Sequence, residues 1–411
     1  MASGHLRVLT ALAVAAMIGL TAVPATAEGS ERVTFYKDVL PILQENCQAC
    51  HRPAGLDLGG MIAPMSLIEY NEVRPWAKAI VRQVTTRTMP PWHTTSEFDQ
   101  VFSNQRTLTD KEIATIERWV ESGAPRGRQQ DAPQPLDFPT GEWSIGEPDL
   151  IVAMPEPYFV EDDVEDLYVN FEVTITEDML PEARWIQASE TRSGSTAVHH
   201  IIARPVGGSA PGIDATFYPD GYGALLEPGA TVTFNMHYHK EPGPGTGVWD
   251  QSKVAVKFHT KPVTHPITTS PVGNRGFEVP PNHPNWEVGA SRIFEESITL
   301  ISLLPHMHLR GKDAKYVAFY PDGSTEVLLD VPNYDFNWQT RYLFAEPKVL
   351  PAGTRVEVTM HFDNSTGNAA NPNPNRPVSF GGPTTDEMML GWMNFASTDP
   401  IPDPLLDAGT D

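Results

Sequence analysis

The spacing of hydrophobic positions changes once along the chain, near residue 140. Upstream, Phe35, Val39 and Leu43 recur every four residues, which places them on one face of a helix. Downstream, apolar and polar residues alternate with period two in stretches such as 168–175 and 354–362, as in half-buried β-strands. The pattern therefore predicts a helical N-terminal region followed by antiparallel β-structure.

A second helix is predicted by the residues that would start and stop it. Thr109 and Glu112 have the spacing of a capping box, in which each side chain satisfies a backbone N–H of the first turn. Gly123 and Pro125 end the helical pattern. Between these limits lies an apolar stripe made of Ile113, Ile116, Trp119 and Val120.

The first 27 residues have the pattern of a secretory signal peptide. Arg7 precedes an apolar run over 8–23, and the small residues 25–27 form a cleavage signal before Glu28. An uncleaved anchor is the alternative, but this run is shorter than the roughly 20 residues that a membrane span needs. We therefore expect an exported protein, periplasmic or secreted, with no transmembrane segment in the mature chain.

Composition narrows the class of partner. Hydrophobic residues make up 40% of the 411 positions, too many for a disordered chain. The chain carries 52 acidic and 29 basic residues, and its formal net charge of −23 argues against a nucleic-acid partner. With only 2 cysteines, the chain cannot be held together by several disulfides.

The two cysteines lie in a C-x-x-C-H motif, formed by Cys47, Cys50 and His51, which is the attachment motif of a c-type haem. Thiols at this spacing can add to the two haem vinyl groups, and the adjacent imidazole can bind the iron. A redox C-x-x-C pair is the alternative, but export and the flanking helices favour haem. Attachment would use both thiols and leave none for a disulfide.

The region of about 30–127 resembles the cytochromes c, in which a Met sulfur from a loop after the haem motif usually completes the iron coordination. Met89 lies in such a loop, beside two prolines, and is the predicted sixth ligand. His93 is an alternative, and Met61 and Met65 are expected to serve packing instead.

The predicted fold class is multidomain, with a small all-α cytochrome c domain followed by two antiparallel β-sandwich domains of jelly-roll type. After the signal peptide, the haem domain is predicted at 28–127 and a polar, proline-rich linker at 128–140. The two β-sandwiches are predicted at 141–285 and 286–411.

The two predicted β-domains share a short pattern. A glycine is followed eight residues later by a histidine, from Gly229 to His237 and again from Gly353 to His361. A pair of histidines precedes each copy, at 199–200 and at 306–308. Two related domains would explain the repeat; chance is the alternative.

These histidine pairs are candidate metal ligands. His306 and His308 would lie on one face of a strand, where both can bind one ion. His199 and His200 would point to opposite faces, so they can share an ion only at a strand end, at a bulge, or through different ring nitrogens. Unrelated surface histidines are the alternative, but each pair has a Met-His strand downstream.

The metal follows from the type of ligand. Imidazole suits copper, zinc, iron and nickel, whereas a thioether suits copper, above all Cu(I). Met388 follows a Gly-Gly turn at 381–382 that could return it to the second histidine pair. Alternatively, Met388 belongs to the core together with Met389 and Met393.

The ordered set of motifs resembles the copper type II, ascorbate-dependent monooxygenases, the family of peptidylglycine α-hydroxylating monooxygenase and dopamine β-monooxygenase. The resemblance covers about 150–395. It implies an electron-transfer copper and a second, catalytic copper that binds O2. The implied ligands of the first are His199, His200 and His237, and those of the second are His306, His308 and Met388.

The implied reaction inserts one oxygen atom of O2 into a substrate C–H bond and releases the other as water. It needs two electrons from an external donor, an ascorbate-like reductant or a redox protein. The arrangement also resembles bacterial proteins that fuse a cytochrome c domain to this core. The expected cofactors are therefore two copper ions and one covalent c-type haem that relays the electrons.

The chain also departs from the family. The peptide hydroxylase has an arginine two residues before its H-x-H, where this chain has Leu304. Its substrate-binding Asn and Tyr become Leu390 and Trp392. These changes disfavour a peptide with a C-terminal glycine and predict a small, apolar substrate.

Two other histidines and two other functions stay open. His239 is either an outer partner of the first site or an alternative ligand, and His361 is a weaker alternative at the second. The chain could instead be a non-oxygenating electron-transfer or copper-binding cytochrome. A zinc or structural metal protein is disfavoured by the Met ligand, since zinc prefers Cys, His and carboxylate.

Overall fold

A computed structural model of the chain describes residues 1, 32–53, 63–138, 143–213, 215–403 and 405. The predicted signal peptide lies outside these residues except for Met1, and Met61 lies outside them too.

Among the described residues, no helix has both the length and the apolar character needed to cross a membrane.

The helices lie in the N-terminal third of the described chain. The α-helices are α1 (Leu40–Asn46), α2 (Tyr70–Val73), α3 (Ala77–Thr85) and α4 (Asp110–Glu121). A π-helical turn, Phe35–Val39, leads into α1, and 3₁₀ turns cover Arg74–Trp76, Ser96–Phe98 and Gln129–Asp131. The predicted stripe of α1 is confirmed, because Phe35, Val39 and Leu43 are buried. The predicted capping box between Thr109 and Glu112 is present at the start of α4.

The strands form four larger sheets. In spatial order, the first contains β3 (Asp166–Thr174), β9 (Thr231–His239), β5 (Val198–Arg204) and β6 (Gly207–Ser209). The second contains β1 (Leu150–Ala153), β11 (Lys253–Phe258), β4 (Arg184–Arg192), β8 (Tyr222–Leu226) and β12 (His265–Pro266), with β7 (Thr216–Phe217) beside β4.

The other two larger sheets are built from the C-terminal part of the chain. The third contains β13 (Thr268–Asn274), β22 (Met389–Ser397), β16 (Ile298–His306) and β19 (Tyr342–Leu350). The fourth contains β15 (Trp286–Ile293), β20 (Arg355–Phe362), β17 (Gly311–Phe319) and β18 (Thr325–Val331). Two-stranded sheets join β2 (Tyr158–Val160) to β10 (Val248–Asp250) and β14 (Glu278–Val279) to β21 (Val378–Ser379). The strand pairs are antiparallel except β8 with β12.

Two buried clusters hold these sheets together. The first and second sheets share one cluster, which includes Ile186 and Phe234. The third and fourth share another, which includes Leu303 and Val358. Strand β13, at 268–274, pairs with β22 and so lies in the C-terminal group of sheets.

The predicted fold class is wrong, because the helical region is not a distinct all-α domain. Strands make up 38% of the chain and helices only 13%, so the protein is mostly β. Trp92, Phe98 and Phe102 belong to the buried cluster of the third and fourth sheets. Phe102 also forms a β-bridge with Phe344 of β19. The aromatic side chains of this segment are thus buried by the β-sheets and not by the helices.

The short sequence repeat corresponds to a repeated structural feature. Gly229 and Gly353 each precede the central strand of their sheet, and both have a φ of 85°, a left-handed conformation that favours glycine. The strands that follow, β9 and β20, carry His237 and His361 at equivalent positions. Only the first of these two histidines lies in a cluster of metal-ligating side chains within the described chain.

Candidate metal centre

His199, His200 and His237 come together at one point of the first sheet. One nitrogen from each ring lies within 4.8 Å of the other two. The neighbouring residues His199 and His200 can face the same point because the pairing of β5 with β9 shifts register between Val198 and His200. A bulge of this kind is one of the three arrangements by which the sequence allowed adjacent histidines to share an ion. Inward ring movements of up to about 0.7 Å would bring all three nitrogens to about 2.1 Å from one ion.

The three rings leave the right atoms free for a metal. His199 Nδ1, His200 Nε2 and His237 Nδ1 are buried and have no hydrogen-bond partner within the described chain. Buried polar atoms normally have a partner, so an unpartnered nitrogen on each of three converging imidazole rings fits a metal site. The donor set fits copper or zinc.

Asp166, at the start of β3, fixes the third histidine. His237 Nε2 donates a hydrogen bond to Asp166 Oδ1, which leaves Nδ1 as the nitrogen that can bind a metal. Burial opposes ionisation of Asp166, but the bond from His237 holds the pKa of Asp166 below its usual range. A carboxylate behind a metal-binding imidazole sets its tautomer and raises its basicity. Thr384 also donates to Asp166, at 3.4 Å, from the loop that precedes Met388.

Replacing Asp166 by asparagine is expected to weaken copper binding at the three-histidine site by about 10–100-fold, the usual cost of losing an outer carboxylate partner. The affinity is measured by competition with a chelator. The exposed Asp163 of the same segment supplies the matched control, Asp163→Asn, which should bind copper normally. Equal affinities in the two variants would remove Asp166 from the site.

The second histidine pair lies where β16 ends. The rings of His306 and His308 are 5.2 Å apart between centroids, and Met307 between them points into the core. His306 Nδ1 donates to Gln339 Oε1 at 2.7 Å, and His308 Nδ1 donates to the carbonyl of Asp386 at 3.2 Å. Both rings are therefore anchored through Nδ1, which leaves Nε2 as the ligand position.

Met388 lines the same cavity as this pair, and the buried Glu387 that precedes it is bound to the turn that carries His308. The carboxylate of Glu387 accepts hydrogen bonds from the backbone N–H of His308 and of Arg310, at 2.8 and 2.7 Å. The guanidinium of Arg310 lies 3.9 Å from Glu387 and donates to the carbonyl of Thr385. The Met388 segment is thus fixed to the turn that carries His308.

Both sites open onto one cavity of about 1180 Å³. His200 of the first site and His306, His308 and Met388 of the second line its wall. One phenyl ring spans the two sites, because Phe336 stacks on His199 at 5.2 Å and meets the ring of His308 edge-on at 5.9 Å. The two histidine sets therefore face each other across a short distance.

Burial keeps these histidines uncharged. Burial and then the neighbouring His237 lower the pKa of His199 to about 3, and burial and then His306 lower the pKa of His308 to about 3. The pKa values of His200 and His306 are also lowered, chiefly by burial. Neutral imidazole is the form that binds a metal.

The metal-free protein is therefore expected to lose stability as the pH falls. An unfolded histidine has a pKa near 6.5. Below that pH the unfolded chain binds protons that the folded chain refuses, so stability is complete above about pH 6.5 and is lost as the pH falls toward 3. The free energy of unfolding should fall by up to about 2 kcal/mol for His199 and for His308 between pH 7 and pH 5. Urea unfolding at the two pH values measures this.

His308→Asn should flatten this pH dependence. The control is His239→Asn, since the side chain of His239 is 54% exposed. If all three proteins show the same dependence, the buried histidines are not its source.

The C-x-x-C-H residues fit covalent haem attachment. Neither Cys47 nor Cys50 forms a disulfide. Burial, with smaller effects from Cys50 and Glu112, raises the pKa of Cys47 to about 12, whereas a reactive redox cysteine has a lowered pKa. His51 Nδ1 donates to the carbonyl of Met65 at 3.3 Å, which leaves Nε2 for an iron.

The predicted sixth haem ligand is exposed. Met89 is 37% exposed after the end of α3. Met65 packs against the helical cluster that includes Phe35, as expected for a packing residue. The pKa of His93 is lowered, first by burial, while Asp335 of the β-region acts in the opposite direction.

The two alternative histidine ligands lie away from the candidate sites or at their edge. His239 lies beside Asp166, with its Nδ1 at 3.9 Å from the carboxylate, and is not one of the three converging residues. His361 lies between Asp313, at 2.6 Å, and Glu287, at 3.4 Å.

Sequence reasoning missed the residues that support the ligands. Asp166 stands 71 positions before its partner His237, and Gln339 stands 33 positions after His306. No local pattern connects such pairs. Glu387 directly precedes Met388, but its contact with the backbone of His308 could not be predicted from sequence spacing.

Comparison with known proteins assigns the chain to no family. No family model matches the chain, and no curated protein matches it. Solved structures are only weakly similar. The subviral particle of infectious bursal disease virus VP2 has a TM-score of 0.18 and 11% identity over 64% of this chain and 83% of that one. An empty particle of cowpea mosaic virus has a TM-score of 0.22 and 8% identity over 57% and 78%. A xanthan lyase from Paenibacillus has a TM-score of 0.18 and 10% identity over 65% and 27%. Similarities this weak carry no argument about fold or function.

Proposed function

We propose that the protein is an exported copper monooxygenase that inserts one oxygen atom of O2 into a C–H bond of an organic substrate. The observation that carries the proposal is the pair of histidine sets that open onto one cavity. A protein that only stores or transfers electrons needs no second site with an open wall and a thioether. Bound copper would supply one-electron transfer at the first site and O2 activation at the second.

The residues of the first site are suited to electron transfer. His199, His200 and His237 offer three imidazoles from one sheet, and Asp166 holds one of them in a fixed tautomer. The ring of Tyr168 stacks on that of His237, with centroids 4.1 Å apart and an interplanar angle of 7°. A site held this firmly can change its charge with little movement of its ligands.

The residues of the second site are suited to binding Cu(I) and substrate. The thioether of Met388 favours the reduced metal. Gln339 and the carbonyl of Asp386 hold both histidine rings with Nε2 available. Leu304 and Trp392 give the adjacent wall of the cavity an apolar surface, which would hold a substrate C–H bond there and keep water out.

In this proposal, a c-type haem bound by the helical region would deliver the electrons. Trp92 stands three residues after Met89 and packs edge-on against Tyr342 of β19, at 5.0 Å between ring centroids. Tyr334, packed against the same cluster, donates to the carbonyl of Met307 at 2.7 Å. Buried aromatic side chains therefore extend from the Met89 loop to the backbone between His306 and His308, which supports a haem that feeds the copper sites.

Oxygen labelling tests this proposal. The copper-loaded protein, with ascorbate as reductant, is given ¹⁸O2 and a panel of apolar compounds. The expected result is one ¹⁸O atom in an organic product for each O2 consumed, read by mass spectrometry. O2 uptake that stays at the background rate in a protein with both metal sites filled would favour the non-oxygenating alternative.

A further inference from the structure

The walls of the cavity run along three strands. Each strand points alternate residues into it: His200, Ile202 and Arg204 on β5, Ser302, Leu304 and His306 on β16, and Leu390, Trp392 and Asn394 on β22. Alternate residues of a strand share a face, so each set is continuous. The cavity is therefore a slot that follows strands of the first and third sheets, and Thr216, Ala224 and Leu225 of the second sheet complete its wall.

The slot has a metal end and a far end. His200 and His306 mark the metal end, and Arg204 and Ser302 stand four residues away on the same strands. At about 3.3 Å per residue, the far end lies roughly 13 Å from the histidines. This length and a volume of about 1180 Å³ suit an extended substrate rather than a very small one.

The charge of the wall is opposite to that of the chain. Arg204, Arg275 and Arg341 line the slot, and no acidic residue is among its described lining residues. The chain as a whole has 52 acidic residues against 29 basic ones, so a wall of average composition would carry mostly carboxylates. This reversal of charge at a site with an apolar wall indicates an anionic ligand.

The arginines lie at different depths along the slot. Arg204 stands at the far end, on β5. Arg341 directly precedes β19, and the pairing of Tyr342 with Leu303 brings it next to Leu304. There its guanidinium donates to the hydroxyl of Thr216 from the second sheet, which fixes its position. Arg275 lies over the ring of Phe380, at 5.5 Å from the ring centroid.

We propose that the slot binds an organic carboxylate with an extended apolar body. The planar guanidinium group matches a carboxylate in shape and charge. The apolar body would lie on Leu304, Leu390 and Trp392 and reach the metal end. That this carboxylate is a substrate rests on the proposed function. That it binds depends only on the slot.

Three probes that share a ten-carbon chain but differ in their polar head group test the proposed substrate class. Decanoate, decanol and decylammonium are titrated calorimetrically into the purified holoprotein. Decanoate is expected to bind at least about 10-fold more tightly than the other two, a difference of about 1.4 kcal/mol. Equal affinities, strongest binding of decylammonium, or binding of none of the three would overturn the proposal.

Substitution of the arginines tests which of them bind the carboxylate. Arg204→Gln with Arg341→Gln should reduce the preference for decanoate to the part that Arg275 supplies, while decanol, which has no charge, still binds. Arg204→Gln alone should reduce the preference in part, and it serves if loss of the Arg341 contact with Thr216 disturbs the fold. The control is Arg128→Gln, whose side chain is 72% exposed and pairs with Asp131 outside the slot. An undiminished preference in the folded double variant would contradict the assignment.

Copper content in the same samples separates this inference from the proposed function. A preference for decanoate in a protein that takes up no copper would support the carboxylate-binding slot and contradict the proposed monooxygenase function. Two copper ions per chain, with no preference among the three head groups, would support the metal sites and contradict the proposal that the slot binds a carboxylate.

Discussion

Replacing Met388 by leucine is expected to lower ¹⁸O incorporation by at least about 100-fold. Loss of an outer partner of a metal site already costs about 10–100-fold, and Met388 is proposed as a ligand. Leucine has a similar volume but no sulfur, so the apolar lining of the cavity is kept. The three-histidine site lies on another sheet and should keep its copper, which elemental analysis of the variant checks.

The matched control is Met393→Leu. Met393 is on the same strand as Met389, is 1% exposed and belongs to the core cluster, so its replacement removes a sulfur from the protein without touching the cavity. That variant should keep its activity. Equal activity in the Met388 and Met393 variants would show that the thioether at 388 has no part in the oxygen chemistry.

The double replacement Cys47→Ser with Cys50→Ser is expected to abolish covalent haem. Both bonds to the haem would come from these two thiols, and the chain has no others. After expression with haem-maturation machinery, the unaltered protein should retain haem on a denaturing gel and the variant should retain none. Copper content should be unchanged, because Cys47 and Cys50 are not among the proposed copper ligands.

The control for this experiment is Ala49→Ser, which adds a hydroxyl at an exposed position between the two cysteines. It should keep its haem. If the double variant also keeps full covalent haem, the C-x-x-C-H motif has another role. If it loses haem but still turns over with ascorbate at the original rate, the haem is not the electron relay.

The local features of the fold could be predicted from the sequence because they depend on neighbours along the chain. The capping box of Thr109 and Glu112 and the buried stripe from Phe35 to Leu43 needed only the spacing of a few residues. The alternation of apolar and polar residues that predicts β3 and β20 is likewise visible in a few consecutive residues. The prediction of a distinct all-α domain was wrong, because only the folded chain shows that Trp92 and Phe102 pack on Tyr342.

In the candidate site, too, the features that depend on nearby residues could be predicted, and those that depend on distant residues could not. His306 and His308 could be paired from their spacing. For His199 and His200 the sequence allowed a strand end, a bulge or different ring nitrogens, and only the structure shows the register shift beside them. The support given by Asp166 and Gln339 depends on long-range strand pairing and loop placement. So does the position of Phe336 between the two sites.

The count of metals per chain tests the central proposal most directly. The protein is expressed in a periplasm with haem maturation and loaded with copper, and its metals are measured by elemental analysis together with a haem spectrum. We expect two copper ions and one iron per chain. One iron with zinc in place of copper, or no copper after loading, would contradict it.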